Sequence, residues 1–184
     1  MKFCSSCGAP VEQRIPEGDD RERHVCASCD TIHYVNPRII TGCLPVYEDK
    51  VLLCKRAIQP RLGLWTLPAG FMENGETTLQ GALRESWEEA RANIEVHDLY
   101  TLFNLPYINQ VYLFYRGRLT DLDFAPGIES LEVELFTEDT IPWDELAFPV
   151  IKKTLEHYFS DRQRGHYPLR TEDILFRPRT TKSG

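Results

Sequence analysis

No stretch of this chain approaches the roughly 18 to 20 consecutive apolar residues that cross a bilayer as a helix, and its opening residues, MKFCSSCGAP, hold no apolar run of the kind a secretory leader needs. These two absences make the cytoplasm the expected compartment and leave no membrane among the expected partners. An excess of positive charge is missing too: 21 Lys and Arg stand against 28 Asp and Glu, for a net charge of -7. Proteins whose main partner is a nucleic-acid backbone neutralise phosphates with clustered Lys and Arg. The charge balance therefore argues against nucleic acid and leaves small anionic ligands, met by local charge, as the expected partners. Internal repeats and low-complexity tracts are also absent, so no solenoid is expected. What remains is 184 residues with 42% hydrophobic content, enough for one buried core and a small appendage.

The six cysteines are unevenly spread. Cys4 and Cys7 form one C-x-x-C, Cys26 and Cys29 a second, with 18 residues between the pairs, whereas Cys43 and Cys54 stand alone in apolar segments. Two such knuckles supply four thiolates for a closed tetrahedral Zn2+ site of the zinc-ribbon kind, which is structural because no position is left for water. A disulfide reading fits poorly with a chain that shows no secretion signal. Cys43 and Cys54 read as core residues.

The organisation follows: a zinc ribbon over residues 1–34, a main domain over 35–160 and a polar tail over 161–184. The ribbon has too few apolar residues for a core, so the metal must supply its folding energy. In the main domain, IITGCLPVYEDKVLLCKRA predicts two strands joined by a turn at Glu48, Asp49 and Lys50. RLGLWTLPAGFMENGE predicts a loop containing a short strand. Thr77 or Thr78 caps the helix that follows, with Leu79, Leu83, Trp87 and Ala90 as its buried stripe. ANIEVHDLYTLFNL, QVYLFYRGRL and LEVELF predict further strands, and PWDELAFPVIKKTLEHYFSD a helical segment interrupted at Pro149. The architecture expected is α/β, a mixed sheet between helices.

The chemistry concentrates in GFMENGETTLQGALRESWEEA. Glu85, Glu88 and Glu89 fall at i, i+3 and i+4, within about a 100° arc of a helix. Like charges so placed repel, and such a face either points into water or is offered to a cation. Magnesium takes oxygen ligands of this type.

Gly70, Glu76, Arg84, Glu85, Glu88 and Glu89, at these spacings, resemble the Nudix box of the Nudix hydrolases, which cleave nucleoside diphosphates linked to another moiety. The pattern departs at Arg91, where the family has glycine, and at Ser86 and Ala92, where it has apolar residues. Glycine takes a left-handed helix end cheaply and arginine does not, so the helix terminus is in question. The resemblance implies a Nudix α/β/α sandwich with a mixed sheet behind the small zinc ribbon. It implies Mg2+ or Mn2+ held by Glu85, Glu88, Glu89 and the main-chain carbonyl of Gly70, an ion pair of Glu76 with Arg84, and a homodimer.

It leaves the general base open among the helical glutamates and, by analogy with ADP-ribose hydrolases, Glu129 and Glu132. CSSCGAP, HYVNPRIITGC, VLLCKRAIQPRLGLWTLPAGF and FAPGIESLEVELF are similar to zinc-ribbon Nudix enzymes related to plant chloroplast FAD pyrophosphatase. That likeness implies hydrolysis of FAD to FMN and AMP, or of ADP-ribose to AMP and ribose 5-phosphate. NADH pyrophosphatases, the alternative, carry SQPWPFP where this chain reads FNLPYINQVYLFY. A nucleotide sensor that binds without cleaving would lack a metal carboxylate, and none is lost. A nucleic-acid module on the ribbon would surround the knuckles with basic and aromatic residues, whereas PEGDDRER mixes signs. Phe71, Phe103, Tyr107 and Tyr112 are left unassigned between ring stacking and core, and Arg56 and Arg61 between phosphate contact and surface.

Overall fold

A computed structural model describes residues 1–175. The chain divides into two compact units, one ending at Pro37 and one beginning at Arg38. The first holds a three-stranded antiparallel sheet, β1 (Val11–Arg14), β2 (Arg23–Cys26) and β3 (Ile32–His33), in the order β1-β2-β3. Its buried apolar residues are Cys4, Pro16, Val25 and Cys26. That core is too small to hold a fold by burial alone.

The second unit is built on an eight-stranded mixed sheet. Its strands are β4 (Arg38–Tyr47), β5 (Lys50–Arg56), β6 (Trp65–Thr66), β7 (Ala69–Phe71), β8 (Ile94–Leu105), β9 (Gln110–Leu119), β10 (Ser130–Phe136) and β11 (Arg170–Asp173). The order is β10-β5-β4-β9-β8-β11, with β6 added to β5 and β7 to β4. Two helices complete the unit, α1 (Thr78–Ala90) and α2 (Pro149–Arg164). Alternation along β5 separates two cores: Val51 and Leu53 join Tyr100, Phe103, Ile151, Leu155 and Phe159, while Leu52 and Cys54 join Ala90, Ala92 and Leu119. A strand whose two faces are both apolar lies between layers, here the two helices.

The β4–β5 hairpin turns at Glu48, which takes φ 53°, but its strands pair only at Val46 with Val51 and Tyr47 with Lys50. Beyond that they part, β7 taking the free edge of β4 and β6 that of β5. The segment expected to hold one short strand thus holds two. The parted end is where the functional residues gather.

Three local expectations are corrected. Helix α1 buries Gly81, Ala82, Ser86, Glu89 and Ala90, and leaves Leu79 and Trp87 exposed. Its small-residue side lies close to β4, where the Thr41 hydroxyl donates to the Thr78 carbonyl at 2.7 Å and the Cys43 thiol to the Ala82 carbonyl at 3.6 Å. Close backbone approach, and not large side chains, forms that contact. Pro149 does not interrupt a helix but begins α2, a position that needs no N–H donor. Of the expected tail, residues 161–164 continue α2 and Arg170–Asp173 form β11, parallel to β8. Buried Asp161 accepts from the Tyr100 hydroxyl at 2.8 Å and from the guanidinium of Arg170, which fastens β11 to α2. The remainder of that tail, 176–184, lies outside the described residues.

Candidate functional site

In the first unit the Sγ atoms of Cys4, Cys7, Cys26 and Cys29 all lie within 4.8 Å of one another, with Cys4–Cys29 at 3.7 Å and Cys7–Cys26 at 3.4 Å. A tetrahedron of thiolates about 2.3 Å from a zinc ion spaces its sulfurs by about 3.8 Å, so this donor set fits structural zinc. The surroundings suit thiolate charge: the Ser6 N–H donates to Cys4 Sγ at 3.4 Å and His33 Nε2 lies 3.3 Å from it. Burial pushes the Cys4 thiol up, but hydrogen bonds from the backbone N–H groups of Cys7 and Ser6, with those of His33 and Cys29, outweigh it and bring the pKa down to about 5. Cys43 and Cys54 are buried elsewhere, and none of the six is in a disulfide.

The second unit contains a cavity of about 1010 Å³ at the parted end of its sheet. Thr77 caps α1 through a capping box with Gln80: its N–H donates to the Gln80 side chain at 2.8 Å and its hydroxyl accepts from the Gln80 N–H at 3.2 Å. The helix so started delivers Arg84, Glu85, Glu88 and Glu89 to the cavity wall. Arg84 donates to Glu76 at 2.8 and 3.1 Å, to Glu85 at 2.7 Å, to Glu88 at 3.0 Å and to the Phe71 carbonyl at 3.1 Å. One guanidinium therefore joins the loop after β7 to the glutamate face. Gly70 stands opposite Glu85, and a β-carbon there would lie 2.3 Å from its carboxylate.

Crowding of carboxylates in a desolvated space disfavours their ionised forms. Burial pushes Glu85 up, against the pull of Arg84. Burial likewise lifts Glu89 to about 8, with Glu85 and Glu129 adding repulsion and the Ala69 N–H, at 3.1 Å, opposing. An oxygen-rich, partly dry cluster of this kind is a donor set that a hard divalent cation suits.

Glu129 reaches the same cavity from a separate loop. That loop is fastened to the C-terminal end of α1, the Ala125 N–H donating to the Ala90 carbonyl and the Gly127 N–H to the Glu89 carbonyl, both at 2.9 Å. A β-carbon on Gly127 would come within 1.7 Å of the Glu88 carbonyl oxygen, so only glycine permits this approach. Glu132, the other candidate from GIESLEVE, is not brought to the cavity. It accepts from Lys55 at 2.8 Å across the β10–β5 pair, because the strand carries it away from the loop.

Of the unassigned aromatics, Phe71, Tyr107 and Tyr112 line the cavity, whereas Phe103 is buried in the core. Arg56 lines it too, and Arg61 does not. The sequence reading missed Arg38, Phe148 and Ile128. Arg38 and Phe148 carry no local signal, since strand pairing and the start of α2 bring them in from distant segments. Arg91 was visible only as a departure from glycine. It takes the left-handed conformation, φ 52° and ψ 25°, its N–H donates to the Trp87 carbonyl at 2.9 Å, and the residue lines the cavity.

A family model described as NUDIX domain matches residues 36–158, and one described as Nudix N-terminal, a zinc ribbon, matches residues 2–35. The chain belongs to the Nudix family. A Nudix hydrolase from Nitrosomonas europaea of known structure is 56% identical, covering 95% of this chain and 100% of its own, with a TM-score of 0.89. Curated relatives include the NAD-capped RNA hydrolase NudC of Klebsiella pneumoniae, 30% identical over 151 residues, and that of Edwardsiella ictaluri, 34% identical over 96 residues. These alignments cover 79% and 51% of this chain, which spans only 53% and 35% of those two Nudix proteins. An ADP-ribose pyrophosphatase from Streptococcus suis shares the fold, at 22% identity and a TM-score of 0.59 over 74% of this chain and 100% of its own. Among the described residues no helix is long and apolar enough to cross a membrane.

Proposed function

We propose that this Nudix protein hydrolyses the pyrophosphate bond of a dinucleotide, with an NAD-type dinucleotide as the leading substrate. The observation that carries the reaction class is the convergence of Glu85, Glu88, Glu89 and Glu129, from two separate segments, on one cavity. The substrate rests on the naming of the curated relatives for NAD caps. That takes precedence over FAD and ADP-ribose, which the motif resemblance had put first and which share the scissile group. Nucleic acid also re-enters as the carrier of such a cap: a net charge of -7 weighs against binding along a backbone, not against one nucleotide end entering a cavity.

Glu85, Glu88, Glu89 and the Gly70 carbonyl are the groups that would hold Mg2+ or Mn2+. A divalent cation supplies charge neutralisation at phosphoryl oxygens and lowers the pKa of water. The protein's own part is positional. Arg84 holds Glu76, Glu85 and Glu88 in one hydrogen-bonded set. Glu129 has no ion-pair partner among the described residues and is the group assigned to take the proton of the attacking water. Arg38 and Arg56 face the anionic substrate. Cys4, Cys7, Cys26 and Cys29 hold zinc to fold the first unit.

The test is product formation from NADH, FAD and ADP-ribose side by side with Mg2+, using Glu88→Gln as control. That variant is expected to fold, keep its zinc and lose at least about 100-fold in turnover. Rates like the wild type's would sink the metal-site assignment, and preference for FAD would return the substrate to the first resemblance.

A further inference from the structure

Arg38, Arg56 and Arg91 line the cavity and none of them is in direct ion-pair contact among the described residues, although Arg56 acts electrostatically on Glu89. Each lies over an aromatic ring: Arg38 over Phe71 at 4.8 Å, Arg56 over Phe148 at 5.2 Å and Arg91 over Trp87 at 5.5 Å from the ring centroid. A guanidinium held by its face keeps its N–H edges for an anion. Arg38 and Arg56 stand at the ends of β4 and β5 that part, and both act electrostatically on Tyr112. Arg56 already donates one N–H to the Pro60 carbonyl, at 2.9 Å. Arg91 is elsewhere, at the C-terminal end of α1, beyond the glutamate set, where the loop bearing Ile128 is fastened. Ile128 is 93% exposed, which places this part of the wall at the rim.

The backbone of Arg91 sharpens the point. Helix α1 ends through main-chain bonds alone, the Arg91 N–H to the Trp87 carbonyl and the Ala92 N–H to the Ser86 carbonyl. Glycine would serve that ending without strain, whereas a β-carbon at φ 52° is disfavoured. Strain kept at a residue that lines the cavity points to a role for its side chain.

We infer that Arg91 binds a phosphate of the substrate lying beyond the scissile pyrophosphate, and so sets a preference for dinucleotides that carry a third phosphate. The inference rests on the dinucleotide reading above. The third phosphate has two sources, a phosphomonoester on a ribose or a phosphodiester that continues into an oligonucleotide, and Arg91 meets the same oxygens in both.

The experiment measures kcat/KM of the full chain with NADH, NADPH and a 5′-NAD-capped trinucleotide, in the wild type, Arg91→Gly and Arg91→Lys. Relative to NADH, the third-phosphate substrate is expected to lose about tenfold in Arg91→Gly, through KM, with part of the preference kept by Arg91→Lys. Loss confined to NADPH assigns the monoester, and loss confined to the capped trinucleotide the diester. Unchanged ratios overturn the inference and leave Arg91 as a cation at a helix C-terminus. The Tm of Arg91→Gly, expected at or above that of the wild type, reports that the fold is kept. If the wild type cleaves none of the three, the hydrolase reading fails by itself. Titration of NADH, NADPH and the capped trinucleotide by tryptophan fluorescence then decides: tighter binding of either third-phosphate ligand that is lost in Arg91→Gly supports the inference, and equal affinities for all three overturn it.

Discussion

Gly70 and Glu85 face each other so closely that a β-carbon on the glycine would sit 2.3 Å from the glutamate carboxylate. Gly70→Ala must therefore displace either β7 or Glu85. A displacement of about 1 Å in a catalytic group costs about 100-fold. A fall of that size in kcat, with an unchanged circular dichroism spectrum, is the expected outcome. Full activity would mean that Glu85 has no part in the reaction.

Glu129 and Glu132 belong to the same short acidic segment but to different environments. Glu129→Gln is expected to lower kcat by about 100-fold or more if it takes the proton of the attacking water. Glu132→Gln removes only the part-exposed Lys55 pair, worth about 1 kcal/mol or less, and should change kcat by less than about threefold. Steady-state rates of the two variants settle the order, and equal losses would remove Glu129 from its role.

The four-sulfur cluster makes a separate claim. Cys4→Ser is expected to reduce the zinc content, about one per chain by elemental analysis, and to unfold the first unit, since zinc binding supplies its folding energy. Near-normal zinc content in that variant would exclude Cys4 as a ligand.

Acid should loosen β11. Burial pushes Asp161 up, but hydrogen bonds from Arg170 and Tyr100 outweigh it and hold its carboxyl below the usual range. Lys153 and His157 do the same for Glu172, against the opposing effect of burial. A depressed folded pKa contributes stability that is complete above the unfolded value, about pH 4, and lost as pH falls through the folded value. Asp161→Asn should cost about 2 kcal/mol at pH 7 and flatten this acid limb. Chemical denaturation across pH 3 to 7 measures both. An acid limb as steep as the wild type's would remove Asp161 as its source.

The legible part of the site was the part written in consecutive residues. Helical spacing brings Glu85, Glu88 and Glu89 to one face whatever packs around them, and Cys4, Cys7, Cys26 and Cys29 announce a metal by spacing alone. The buried face of α1 was misread because Leu79 and Trp87 outrank Ala82 and Ser86 in hydrophobicity, while the sheet accepts the side that lets backbones approach. Arg170 looked like part of a polar tail because its carboxylate partner, Asp161, lies on another element.

By itself the sequence determined the longer strands of the main domain, the capped glutamate helix and the cysteine quartet, set by local periodicity and short-range spacing, and its motif carried the resemblance to the family. Tertiary structure alone decided which carboxylate of GIESLEVE reaches the cavity, that Arg38, Arg56 and Phe148 share its wall, and that the chain beyond α2 returns as a sheet edge. These are contacts between segments distant in the chain. Their geometry is set by where β4 and β5 part and by the glycine at 127 that lets a loop close onto α1.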